Sequence, residues 1–247
     1  MRTTALVTGY IEAALFTLLG FRCVLSWLRQ HDRASATLAF ATVLFGLSSL
    51  IGAITTTFYD STKGQLAPRG LGIVSSVIGL LAIYGFLLFL TNFIPFPQWL
   101  SALFGLGTVF WIVMAIIERP DLTFDKNFHR ISIPGVHNPI HYITYLGAVL
   151  AYYAVVLGIL WIAFFVNGLR LEGLARLRML LIAGGFFLLF VAIGLIPRIL
   201  FGKPDTGTNK AIITTVEYLA IISAPLLLVG FSPPRWLSAR YSPPAAA

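Results

Sequence analysis

Three ionisable side chains stand inside otherwise apolar runs of this chain: Glu12, Arg198 and Glu217. An unpaired charge held in hydrocarbon costs ~3 kcal/mol or more, so such groups are the first candidates for chemistry. Glu12 and Glu217 each lie about six residues inside a run, and Arg198 lies about three residues before the end of one; at ~1.5 Å per residue all three sit roughly 5–9 Å from the same face. One guanidinium suits two carboxylates because its planar fork presents several donors. The positions predict an Arg198 bridge between Glu12 and Glu217. Tyr10, Tyr218, Thr55, Thr56 and Tyr59 would complete a polar pocket at that level. Two uses fit: first a structural clamp between helices, and after it a pocket for a ligand.

Other reactive groupings are sparse. His129, His137 and His141 share a segment with Glu118, Asp121 and Asp125. The His137 to His141 spacing would place two imidazoles on one helical face, as zinc requires. Pro139 interrupts it, however, and no third ligand stands at a regular interval, so a solvated loop and no metal are expected. Cys23 is the single cysteine, which excludes an intramolecular disulfide and a cysteine-based metal site. No nucleophile–base pair stands at a readable spacing, and no enzyme or cofactor is expected. The final apolar run, 211–231, holds no lysine for a retinal Schiff base.

The elements that must position these residues are set by composition. Of 247 residues, 58% are hydrophobic and 11% charged, against roughly 25% charged in soluble domains. Seven apolar runs, at 6–28, 35–58, 70–93, 98–117, 141–167, 177–201 and 211–231, are each near the ~20 residues needed to cross ~30 Å of hydrocarbon. Because lipid offers no hydrogen bonds to the backbone, each should be helical. The expected fold is all-α, a single seven-helix transmembrane domain over 1–237 with a short disordered cytoplasmic tail over 238–247. The first run reads as a span rather than a signal peptide, since its charged lead is only Met1–Arg2 and no A-x-A site follows it.

Basic residues orient the bundle. With the N-terminus outside, the inner segments carry Arg29, Arg33, Arg170, Arg176, Arg178, Arg235 and Arg240 against Asp32 and Glu172. The outer segments carry a similar number of basic residues, with several acids among them. The short 29–33 and 170–178 segments, whose charges abut the spans, favour N-outside and C-inside. Arg22, near the inner end of the first span, reads as snorkelling to headgroups. The net charge of +8 fits contact with anionic lipid, and no nucleic-acid motif accompanies it. Gly46, Gly52, Gly72, Gly79, Gly105, Gly107, Gly184 and Gly185 read as packing positions where helices approach closely. Pro197 and Pro225 should kink the last two spans, and Ser223 beside Pro225 reads as a hinge or a pocket wall.

The most distinctive stretch closes the last span: Gly230-Phe231-Ser232-Pro233-Pro234-Arg235-Trp236-Leu237. Two prolines stop the helix, and Arg235 with Trp236 forms an interfacial anchor. The stretch resembles the end of the seven-helix sensor modules of bacterial signalling proteins, where a similar segment leads into a kinase, cyclase or GAF-type output domain. The resemblance implies that Pro225, Pro233, Pro234, Arg235 and Trp236 form a signal junction. Only Ser238–Ala247 follows in this chain, so it further implies a sensor of the inner (plasma) membrane that signals through a cytoplasmic kinase or regulator. The function expected on these grounds is a non-catalytic, receptor-like membrane protein for a small or lipid-like ligand. The alternative is a proton-coupled or small-solute transporter using the same charges as a relay. Pro97-Gln98 is similar to the dipeptide of PQ-loop transporters but occurs once.

Overall fold

The computed structural model describes residues 2–58, 69–94, 96–117, 122–124, 130–132, 142–201, 206–234, 236–237 and 241. Seven helices account for nearly all of them: α1 (Arg2–Gln30), α2 (Arg33–Phe58), α3 (Arg69–Leu90), α4 (Gln98–Ile117), α5 (Tyr142–Leu169), α6 (Gly173–Phe201) and α7 (Thr206–Phe231). All seven are long and apolar enough to cross a membrane. Among the described residues the one departure from helix and turn is a short antiparallel ribbon in the α4–α5 connection. There β1 (Leu122–Phe124) pairs with β2 (Arg130–Ser132), Thr123 opposite Ile131.

Several helices differ from the apolar runs at their ends. α1, α6 and α7 begin four or five residues earlier than hydropathy marks, at Arg2, Gly173 and Thr206. α3 stops at Leu90, where Thr91–Ile94 close a turn onto Leu87, Phe89 and Leu90 carbonyls. Hydropathy locates the hydrocarbon, whereas a helix continues into the headgroup layer for as long as its backbone bonds are satisfied.

Helices that follow one another in sequence pack side by side, apart from α4 and α5, and α1 also meets α7. α3 lies at the centre of the bundle, against α2, α4 and α5. Packing rather than water exclusion must hold helices together in lipid. The core supplies this with a run of phenylalanine rings across six helices. Phe16 meets Phe45 at 4.5 Å, Phe45 meets Phe86 at 6.1 Å, and Phe86 meets Phe186 at 5.3 Å. Phe186 stacks on Phe164 at 5.9 Å, Phe164 on Phe89 at 5.9 Å, and Phe89 meets Phe231 edge-on at 5.3 Å. α4 stands outside this run. It is tied to α5 by a 2.7 Å hydrogen bond between the Thr108 and Tyr152 hydroxyls, and Trp99, Leu106, Val109 and Ile116 are exposed on it.

Two turns at one end are set by local chemistry. His31 adopts a left-handed φ of 52° and its amide donates to the Trp27 carbonyl, ending α1. Asp32 follows as the N-cap of α2, its Oδ1 accepting from the Ser35 amide at 2.7 Å. Gly173, with φ 59°, starts α6 after the three-residue turn Arg170–Glu172.

Candidate functional site

At the level of Glu12 the structure brings together α1, α2 and α7. The Ser49 hydroxyl of α2 donates to Glu12 Oε1 at 3.1 Å. Glu217 of α7 lies within electrostatic reach of Glu12 and accepts a hydrogen bond from the hydroxyl of Thr8, one turn before Glu12 on α1. Two carboxylates and two hydroxyls thus face one another across three helices.

Arg198 does not join them. Its side chain is exposed, and among the described residues it forms no ion pair with either acid. Matching depth along three helices fixes height but not direction around each helix axis, and α6 turns Arg198 away. The rest of the expected pocket is also scattered. Tyr10 and Tyr218 are 40% and 53% exposed. Thr55 donates to its own helix at the Ile51 carbonyl. The Thr56 side chain and Tyr59 lie outside the described residues, as do His129, His137 and His141.

The opposite end of the bundle holds a cavity of about 350 Å³ between α1, α2, α3, α6 and α7. Arg22, Cys23 and Ser26 of α1 form one wall, and Asp32, Ser35 and Leu38 another. Phe89 and Phe93 close it from the α3 side, and Arg178 and Ser232 complete its rim. Arg178 is the most constrained of these. Its Nε donates to the Gly230 carbonyl at 3.0 Å and its Nη2 to the Phe231 carbonyl at 3.2 Å. These are carbonyls in the last turn of α7, where the helix has run out of amides to satisfy them and where the dipole favours a cation. Among the described residues neither Arg22 nor Arg178 is in an ion pair with an acid. Asp32, the one acid lining the cavity, is engaged by the Ser35 amide.

Sequence alone does not mark the cavity, because Arg22 and Arg178 each read as a single charge near a span end. The usable signal was the four-residue spacing of Arg22 and Ser26, which puts both on one face of α1. A second was Arg178, already inside a run whose only other cation is Arg198.

The junction residues fall as follows. Pro225 is inside α7 and exposed, and Ser223 is buried, donating to the Ala220 carbonyl of its own helix at 2.7 Å. Pro233 and Pro234 are partly buried beyond the helix end, Trp236 is 67% exposed in a short turn, and Arg235 lies outside the described residues. Comparison with protein-family models, curated proteins and solved structures finds no match to this chain.

Proposed function

We propose that this multi-pass membrane protein is a non-catalytic receptor that binds a small or lipid-like ligand and passes its occupancy through the end of α7 to a partner. One observation carries the reading: Arg178 lines the cavity and at the same time holds the Gly230 and Phe231 carbonyls. A ligand on the free Nη1 side of Arg178 pulls on the same guanidinium that holds the end of α7. That end runs directly into Pro233-Pro234, the segment that resembles the output junction of bacterial seven-helix sensors. The orientation that fits is N-outside, with the arginine-rich end and the junction facing the cytoplasm of a plasma membrane.

The test is a distance measurement. Spin labels at Glu172→Cys and Trp236→Cys, in a Cys23→Ala background, report the segment just past α7 against the α5–α6 turn. Arg178→Gln should shift or broaden this distance, mimicking the occupied state, and a total lipid extract should do the same to the unaltered site. An unchanged distance in both would sink the receptor reading.

The facing Glu12 and Glu217 carboxylates favour a second reading, a transporter of protons or small cations. Flux driven by a pH gradient in proteoliposomes, abolished by Glu217→Gln, would establish it over the receptor.

A further inference from the structure

We infer that the cavity at the arginine end binds a phosphate-ester anion, and that its source is the headgroup of an anionic phospholipid. This rests on the receptor reading for the site and adds the chemical class of its ligand.

Two guanidiniums against one carboxylate, whose Oδ1 accepts from the Ser35 amide and whose buried Oδ2 has no hydrogen-bond partner among the described residues, leave the lining with one net positive charge. That net charge favours an anionic ligand over a cationic one. Arg178 spends Nε and Nη2 on the α7 carbonyls, which leaves the Nη1 side of its fork available to the cavity. Arg22 lines it from α1, one helical turn from Ser26, while Ser232 adds a hydroxyl. Guanidiniums supported by hydroxyls are the donors that phosphate oxygens select.

The remaining walls separate a headgroup from a free anion. Leu38, Phe89, Phe93 and Phe231 give the cavity an apolar share of its lining, which suits the start of an acyl chain and does nothing for inorganic phosphate. The volume of about 350 Å³ is at the small end of the range for ligand pockets, enough for a headgroup and its first methylenes with the chains left in the bilayer. Arg22 lies seven residues before Arg29, the end of the candidate span, so its Cα sits roughly 10 Å inside that end at ~1.5 Å per residue, and its long side chain reaches back toward the headgroup level.

Cys23, the only cysteine in the sequence, lines the cavity and reports on it. The full chain in phosphatidylcholine nanodiscs is alkylated at Cys23 with and without phosphatidylglycerol, and separately with glycerol 3-phosphate or inorganic phosphate. Phosphatidylglycerol at about ten times its dissociation constant should slow the reaction roughly tenfold. Arg22→Gln, an exposed position without a packing role, should abolish that protection while leaving the melting temperature in place. Arg178→Gln should abolish it too, and Arg178→Lys should restore part. Protection by the soluble phosphates but not by the lipid would overturn the lipid source. No protection by any of them, or full protection in Arg22→Gln, would overturn the phosphate chemistry. Protection without movement of the spin labels would remove the receptor reading and leave the ligand class standing. Label movement caused by a lipid that does not protect Cys23 would do the reverse.

Discussion

The Ser49 hydroxyl of α2 donates to the Glu12 carboxylate of α1 at 3.1 Å. In a bilayer this bond stands where water cannot substitute for it, so losing one partner leaves the other desolvated and unpaired. Ser49→Ala should lower stability by ~1–3 kcal/mol, read as a fall in melting temperature in mild detergent. Glu12→Gln, whose amide can still accept from Ser49, should cost less. Combined with Ser49→Ala it should show a coupling of about 0.5 kcal/mol or more. Strict additivity in that double-mutant cycle would show the pair to be independent.

Close packing of α1 on α2 makes a sharper steric prediction. A Cβ on Gly46 would fall 2.9 Å from the Thr17 backbone nitrogen, and one on Gly20 would fall 3.0 Å from that of Val43. Backbone cannot swing aside as a side chain can, so Gly20→Ala and Gly46→Ala must push the helices apart. Each should cost ~1–3 kcal/mol. Gly72→Ala, with nothing within 4 Å of the new methyl, is the control and should be neutral or stabilising. Equal melting temperatures for Gly46→Ala and Gly72→Ala would refute the interface as described.

The Asp32 cap supplies a pH dependence. Hydrogen bonds from the Ser35 hydroxyl and amide hold the carboxyl below its ordinary value of 3.8. A carboxyl lowered on folding contributes stability that is fully present above its unfolded value. That contribution is lost as the pH falls through the lower, folded value. The stability of the native chain should therefore drop below pH 3.8, and Asp32→Asn, which still caps, should flatten that part of the profile. Asp32→Ala should cost ~1 kcal/mol at neutral pH. An acid profile in Asp32→Asn identical to the native one would assign the effect elsewhere.

The seven spans were legible because lipid imposes them: each run had to be apolar and near the length of the hydrocarbon. The depth of Glu12 and Glu217 was legible for the same reason, and the structure does set them near each other. Their partners were not. Arg198 shares their height, but a change of one residue rotates a side chain by ~100° around the axis. These helices are apolar on nearly every face, so the pattern that would fix their rotation is faint. Ser49 and Thr8, the hydroxyls that meet the two acids, carry no charge and leave no mark in hydropathy. The cavity was hidden for a different reason. Arg22, Asp32, Phe89, Arg178 and Ser232 come from five separate helix ends, and only the packing order of those ends assembles them.

That packing has a mechanical consequence on one side of the bundle. Besides the two Arg178 bonds to the end of α7, Gly230 lets Ile182 and the Arg178 carbonyl approach closely, and Gly185 does the same for Leu227 and the Ser223 carbonyl. Helices fastened at so many heights cannot slide past each other one at a time. A displacement of α7 must therefore move α6 with it.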